Sequence, residues 1–250
     1  MFERARYIWK FQEYDDWADA IDLINGPAWR TELLPHMGDE GLLGGVKGKR
    51  STGGLLMMVR WFLRKRIEQD GILDLYDRFV VTRSDHYYLC DHDLAPLDHN
   101  FMWIPLGEWY GGYTDRHLVV SSEHLIDATE ILSPMIENPA SFTRSKLTMN
   151  DNIEQFQTRI WHRRGILDKV RQFKRMMFVC AAPTDKTRWK EMTKQTVEGS
   201  DLHIKYYGEY AKSKRFCDRE TTVEDLLERA EEVPRLKIRP VLANANSKSD

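Results

Sequence analysis

The fold can be read most directly from YDRFVVTRSDHYY, residues 76–88. Its apolar centre, bounded by charged residues, predicts a buried strand over 76–82, which we place at the centre of a sheet. The strand ends in Arg83, Ser84 and Asp85. In open α/β sheets, ligands bind outside the carboxyl ends of the strands. The polar residues that follow this strand are therefore the first candidate site.

Further elements are predicted on both sides of this strand from apolar periodicity and from turn residues. Strands are expected at 6–11, 101–105 and 118–120, helices at about 17–24, 53–69, 123–132, 152–161 and 221–233, and loops at 38–54 and 134–150. Strands that alternate with helices favour an α/β sheet, with a helical appendage at the C-terminus. We expect one domain over 1–240 and a frayed polar tail over 241–250.

The composition excludes several classes of protein. The 250 residues carry 37 basic and 39 acidic side chains, so no global basic field attracts nucleic acid. Cys90, Cys180 and Cys217 lie far apart without metal-ligand spacing, which argues against structural zinc, against a disulfide framework and for a reducing compartment. The sequence shows no secretory signal, and its longest apolar runs are far below the roughly 20 residues that span a bilayer. We expect a soluble, cytoplasmic protein with no transmembrane segment.

Asp85 is the first candidate for chemistry, because it follows the predicted strand directly. Together with Asp91 and Asp93 it could hold a divalent cation through oxygen ligands. Such a cation would offset the charge of a departing diphosphate. The alternative is a carboxylate that caps a turn or pairs with Arg83.

A glycine-rich loop supplies a second candidate, a basic cluster of Lys47, Lys49 and Arg50 ahead of a helix. Glycines let backbone N–H groups approach phosphate oxygens, and a helix N-terminus favours negative charge. The spacing is not that of a Walker loop. A solvated loop is an equally good interpretation. Arg60 and Arg64, on the polar face of the following helix, are expected at the surface.

The third candidate is the loop GEWYGGYTDRH, residues 107–117. It combines three titratable groups with three aromatic rings: Glu108, Asp115, His117, Trp109, Tyr110 and Tyr113. Aromatic rings suit the apolar faces of sugars, and a carboxylate can act as general base toward a hydroxyl. The alternative is a loop whose rings fill the core and whose Asp115–Arg116 pair is local.

Two weaker signals remain in the sequence. Asn152 and Glu154 open a predicted helix, where capping and the helix dipole already favour such residues. His86, His92 and His99 could form a zinc site, but their spacing does not place them on one helical face, and solvated loop histidines are the simpler interpretation. The motifs GxSxG, HExxH and GxGxxG are absent from the sequence, so serine hydrolases, zincins and dinucleotide-binding enzymes lose their usual support.

Three motifs in this order resemble a known family. YDRFVVTRSDHYY (76–88), WIPLGEWYGGYTDRHLVVSS (103–122) and NDNIEQF (150–156) are similar to segments of WavE-like polysaccharide-synthesis glycosyltransferases of microbes and viruses, over roughly residues 50–180. The resemblance implies a GT-A fold with one mixed sheet flanked by helices. It also implies Mn²⁺ or Mg²⁺, a UDP- or GDP-sugar donor and a glycan acceptor.

The same resemblance implies roles for particular residues. Asp85 would bind the metal or the donor, and Arg83 would contact the donor phosphate or support Asp85. Asp115 and Arg116 would line the acceptor side, and Glu154 would lie near the reaction centre. From the residues themselves we expect Lys47, Lys49 or Arg50 to help hold the diphosphate and Asp115 or Glu154 to be the catalytic carboxylate. Further expected contacts of the substrate are Glu108, Trp109, Tyr113 and His117. Two alternatives use the same groups: a nucleotidyltransferase or metal-dependent phosphohydrolase, and a non-catalytic carbohydrate-binding module.

Overall fold

A computed structural model describes residues 4–33, 52–107, 109–140, 152–185 and 193–218. This part of the chain is a mixed α/β structure with seven α-helices and two β-sheets. The helices are α1 Trp17–Asn25, α2 Ala28–Leu33, α3 Thr52–Gln69, α4 Ser122–Thr129, α5 Ser133–Glu137, α6 Ile153–Arg163 and α7 Tyr207–Cys217. The strands are β1 Arg78–Thr82, β2 His86–Tyr88, β3 Met102–Pro105, β4 His117–Ser121, β5 Val170–Phe173, β6 Met177–Ala181 and β7 His203–Ile204. None of these helices is long and apolar enough to cross a membrane.

The larger sheet has four strands in the order β1-β4-β3-β5. β4 pairs with β1 and β3 in antiparallel fashion, and β3 pairs with β5 in parallel, so the prediction of a mixed sheet is confirmed. The prediction that 76–82 forms a central strand is wrong, because β1 lies at the edge, where Val80 is 41% exposed. The fully buried β4 pairs with a strand on each side instead.

A second sheet of three strands, in the order β2-β6-β7, was not predicted. The chain passes directly from the first sheet to the second at two points. Residues 83–85 separate β1 from β2, and residues 174–176 separate β5 from β6. Two backbone hydrogen bonds join these breaks to the second sheet: Cys180 N donates to Asp85 O at 3.0 Å, and Leu89 N donates to Met176 O at 3.0 Å. Asp85 therefore lies at the junction of the two sheets.

Local capping explains the helices that were predicted correctly. The Asp16 side chain accepts a hydrogen bond from Ala18 N at 2.9 Å and starts α1, which ends at Gly26 with φ 73°. Asn152 and Gln155 form a capping box at the start of α6. The helices expected near 17–24, 53–69, 123–132 and 152–161 are confirmed.

Two local predictions are wrong. Residues 6–11 form no strand, since no described strand pairs with them, and Trp9 instead donates its Nε1–H to Asp70 at 2.9 Å. The expected loop at 134–150 is wrong for 134–137, which lie in α5, a helix that admits a proline in its first turn because no intrahelical hydrogen bond is lost there. Residues 141–150 lie outside the described residues. The helix expected at 221–233 and the tail at 241–250 lie outside the described residues.

Both faces of the four-stranded sheet are covered. On one face, side chains of α3, α4 and α6 pack on β3, β4 and β5, and Trp161 donates its Nε1–H to Ala128 O at 3.0 Å. On the other face, Trp103 and Val119 pack with residues of the segment after β2 and with the end of α7. This packing fixes the strand ends that form the junction.

A disulfide joins Cys90, just after β2, to Cys217, the last residue of α7. The expectation of no disulfide is wrong for this pair, because the fold brings together two cysteines that are 127 residues apart in the sequence. Cys180 is the free cysteine of the described residues, and it is buried. Disulfides persist mainly in oxidising compartments, so this bond gives no support to the expected reducing compartment.

Reduction of this disulfide is expected to lower the free energy of unfolding by about 2–4 kcal/mol, because the bond constrains a long loop of the unfolded chain. Urea unfolding with and without a dithiol reductant measures the difference. In the double variant Cys90→Ser/Cys217→Ser, the reductant should leave the urea midpoint unchanged. Three reactive thiols in the denatured, unreduced protein would contradict the bond, whereas one thiol would support it.

Candidate functional site

The pairing of β1 with β4 brings two of the sequence motifs together. Thr82, the last residue of β1, is the register partner of His117, the first residue of β4. The residues that follow Thr82 therefore lie beside those that precede His117. Asp85, with a side chain 33% exposed, lies on the same rim of the sheet as the end of the 107–117 loop. These residues form the centre of the candidate site, which we call the junction site.

Arg83 and Asp85 form a two-bond ion pair in the junction site. Arg83 donates from Nε to Oδ1 at 2.8 Å and from Nη2 to Oδ2 at 2.5 Å. Burial opposes the charge of Asp85, but the hydrogen bonds and charge of Arg83 outweigh it and lower the pKa of Asp85. The pKa of Arg83 is raised for the same reason, against the effect of its own burial. Both groups are therefore charged, and the pairing that the sequence left open is present.

The 107–117 loop packs directly on the first turn of α6. Asn152 Nδ2 donates to Tyr110 O at 2.7 Å, and Tyr113 N donates to Thr158 Oγ1 at 2.7 Å. Gly112 touches the backbone of Glu154 so closely that a Cβ there would lie 2.1 Å from its carbonyl oxygen. The structure thus brings the loop and the turn containing Glu154 together, as the sequence motifs suggested.

Gly112→Ala is expected to lower the free energy of unfolding by about 1–3 kcal/mol, since the added methyl meets backbone atoms that cannot rotate away. Thermal or urea unfolding measures the loss. Gly208→Ala is the matched control, because no atom lies within 4 Å of its added Cβ, and it should be neutral or stabilising by up to about 1 kcal/mol. Equal stability of both variants would contradict the close approach.

Asp115 is almost fully buried, yet its carboxylate accepts no hydrogen bond from the described residues. Its carbonyl oxygen accepts from Arg60 Nη2 at 2.5 Å, and the charges of Arg60 and Arg83 lie close to its carboxylate. Arg60 is itself buried, so its expected surface position is wrong. Arg64, also expected at the surface, pairs with the buried Glu130. Since none of the described residues donates to it, the Asp115 carboxylate can accept a hydrogen bond from a ligand.

Arg116 is held by a carboxylate that the sequence analysis missed. Arg116 Nη1 donates to Oε1 of Glu209 at 2.5 Å, and Glu209 is fully buried in the first turn of α7. The other oxygen of Glu209 accepts from Val179 N at 2.9 Å, and Arg175 Nη1 lies 3.6 Å from Oε1. The Arg116 guanidinium also lies over the ring of Tyr206, 4.8 Å from its centroid. These contacts fix the position of Arg116.

The residues from α7 and its approach were missed because they lie about 90 residues after the loop that they contact. Glu209 bonds Arg116 across a separation of 93 positions, and Lys205 and Tyr206 precede it directly. One signal could have found them. The run KYYGEY at 205–210 combines a cation, aromatic rings and a carboxylate, which is the same combination that singled out the 107–117 loop.

The remaining predicted residues are placed as follows. Tyr113 packs in the core against Trp161, with ring centroids 6.2 Å apart, so its predicted contact with a substrate has no support from its position. Trp109 is half-buried, and Asp93 caps a turn by accepting from Ala95 N at 2.9 Å. Glu108 and the basic cluster Lys47, Lys49 and Arg50 lie outside the described residues. Their roles stay predictions.

Three histidines meet beside the junction site, but the set differs from the one in the sequence analysis. His117 lies between His86 and His92, with ring centroids at 6.2 Å and 5.1 Å, whereas His99 is exposed elsewhere. Thr82 Oγ1 lies 3.1 Å from His86 Nδ1 and 3.0 Å from His117 Nδ1. Burial lowers the pKa of His86 and His92 to about 4 and that of His117 to about 2. All three rings are therefore neutral near pH 7.

The fit of a divalent metal can be tested on the ligand atoms present. Both oxygens of Asp85 accept hydrogen bonds from Arg83, whose positive charge opposes a cation at the same carboxylate. Within the described ranges, no group of three or more His, Cys, Asp and Glu side chains could hold a metal ion. Mn²⁺ or Mg²⁺ at Asp85 stays a prediction, and the side chains as placed do not fit it.

The charges of the junction site favour an anionic ligand. Four buried cations, Arg60, Arg116, Arg175 and Lys205, lie with Arg83 around three carboxylates, those of Asp85, Asp115 and Glu209. Comparison with known proteins adds no relative, since no protein-family model, no curated protein and no solved structure matches the chain. Among the residues that the structure describes, the junction site is thus a partly buried cluster in which cations outnumber carboxylates and the Asp115 carboxylate is open to a ligand.

Proposed function

We propose that this chain is a glycosyltransferase that moves a sugar from a nucleotide-diphosphate donor to a hydroxyl group of a glycan. The observation that carries the proposal is the convergence of Arg83, Asp115 and Arg116 through the Thr82–His117 pairing. Cations for a diphosphate and a carboxylate for a hydroxyl are the two requirements of this reaction. The resemblance of the three sequence motifs supports the same class of enzyme.

In this proposal the cations act on the leaving group. The bond from the sugar to the diphosphate breaks, and the diphosphate takes the electron pair as negative charge. Arg116, fixed by Glu209, and Arg83, fixed by Asp85, present positive charge that does not need to reorganise during the reaction. Such preorganised charge is a large source of transition-state stabilisation.

The acceptor hydroxyl is assigned to Asp115. Its carboxylate oxygens accept no hydrogen bond from the described residues, so they can accept one from a ligand. As general base, Asp115 takes the proton of the hydroxyl while the hydroxyl oxygen bonds to the sugar. The ring of Tyr110, 51% exposed on the same loop, offers a face for the acceptor sugar.

Neutralisation of the diphosphate is assigned to the side-chain cations. A metal at Asp85 would lie beside the positive charge of Arg83, which binds both oxygens of this carboxylate. We therefore expect donor binding to persist in EDTA. Binding that appears only with Mn²⁺ or Mg²⁺ would instead support the metal implied by the sequence resemblance.

A panel of UDP- and GDP-sugars tests the proposal, with mixed glycan acceptors, in Mn²⁺ and in EDTA. Transfer of radiolabelled sugar, with release of the nucleoside diphosphate, supports it. Release of pyrophosphate would indicate a nucleotidyltransferase, and release of phosphate a phosphohydrolase. Glycan binding with no binding of any nucleotide would indicate a carbohydrate-binding module and overturn the proposal.

A further inference from the structure

Lys205 places a positive charge in the junction site on a largely buried side chain. Its backbone N–H donates to Val179 O at 3.0 Å, which fixes the residue between β7 and α7. The residue is only 8% exposed. No described residue forms a hydrogen bond or an ion pair with its ammonium group, and its nearest aromatic contact is the Tyr206 ring, 5.4 Å from Nζ to the centroid.

The charges around Lys205 do not offset its own. Burial lowers the pKa of Lys205 first, and the positive charge of Arg83 lowers it next, while Asp85 acts in the opposite direction. The two nearest carboxylates are already engaged, Asp85 by Arg83 and Glu209 by Arg116. An ammonium group on a largely buried side chain is stabilised when an anion pairs with it. An anion between these three cations would supply the pair.

We propose that Lys205, together with Arg83 and Arg116, forms a subsite for the diphosphate group of the donor. The proposal rests on the function proposed above and deepens it. A guanidinium binds two phosphate oxygens side by side, and an ammonium binds phosphate as a point charge. Three cations from three different segments suit a ligand with several charged oxygens better than a single carboxylate.

The subsite is tested by isothermal titration calorimetry with inorganic pyrophosphate, UDP and GDP in EDTA. The variant Lys205→Met removes the charge and keeps an unbranched chain, while Lys205→Arg keeps the charge. Lys194→Met is the matched control, because Lys194 is exposed in the segment before β7. We expect Lys205→Met to weaken binding at least about tenfold, Lys205→Arg to lose less, and Lys194→Met to match the wild type.

Two results would overturn the subsite. One is that Lys205→Met binds these ligands with the affinity of the wild type, and the other is that the wild type binds none of the three. Lys205→Met should melt no lower than the wild type, since it removes a charge that no described residue pairs with and keeps an apolar chain in a largely buried position. If that variant does not fold, Lys205→Gln repeats the measurement with the same expectation. Its unchanged affinity would overturn the subsite equally.

The subsite and the proposed function can fail separately. Loss of pyrophosphate binding in Lys205→Met, with no sugar transfer by the wild type from any donor, would support the subsite and overturn the transferase. Sugar transfer by the wild type, with an unchanged KM for the donor in Lys205→Met, would overturn the subsite and support the transferase.

Discussion

Asp115→Asn is expected to lower kcat for sugar transfer about 10²- to 10⁴-fold, which is the usual contribution of a general base. The amide occupies the same volume but cannot take the proton of the acceptor hydroxyl. The backbone contact from Arg60 to Asp115 O does not involve the side chain, so the fold should persist. Initial rates at saturating donor and acceptor measure the effect.

The control for this prediction is Asp201→Asn, an exposed carboxylate in the turn before β7. It makes the same chemical change away from the junction site and should leave kcat unchanged. The donor KM of Asp115→Asn should stay close to that of the wild type, because its side chain is assigned to the acceptor. A fully active Asp115→Asn variant would remove Asp115 from the mechanism and direct attention to Glu154.

Glu209→Gln is expected to lower the free energy of unfolding by about 3–5 kcal/mol, as the removal of one member of a buried ion pair does. The fully buried carboxylate of Glu209 faces two cations, those of Arg116 and Arg175. The amide retains an acceptor for Val179 N but removes the negative charge that faces both cations. Urea unfolding of wild type and variant at one pH measures the difference.

Glu198→Gln is the matched control for this variant, because it makes the same chemical change at an exposed position. It should alter stability by less than about 0.5 kcal/mol. Glu209→Gln should also weaken pyrophosphate binding, since Arg116 loses the group that fixes its position. A loss of stability below about 1 kcal/mol would contradict a structural role for this ion pair.

Elements with local signals were predictable from the sequence. Asp16 and Asn152 are capping residues directly before helices, and Gly26 follows the end of α1, so these boundaries needed no knowledge of the tertiary structure. The apolar runs of β3 and β4 were equally clear. At the site, the sequence resemblance assigned Asp85 and the 107–117 loop to one site, and the structure places them on the same rim of the sheet.

Features that depend on contacts distant in sequence were not predictable in this way. The sequence around Val80 does not show that β1 is an edge strand, because the position of β1 in the sheet depends on which strands pair with β4. Glu209 and Cys217 find their partners 93 and 127 positions away, and neither distance leaves a trace in composition or periodicity. His117, predicted as a substrate contact, also packs against His92, because the fold brings the segment after β2 next to the start of β4.

The helix α7 links the disulfide to the junction site. Its first turn carries Glu209, which binds Arg116, and its last residue, Cys217, is joined by a disulfide to the segment after β2. Glu209 and Cys217 are eight positions apart, which is roughly 12 Å along the helix at a rise of 1.5 Å per residue. A reductant that breaks the disulfide at the C-terminal end of α7 therefore loosens the helix whose N-terminal end holds Arg116 in place.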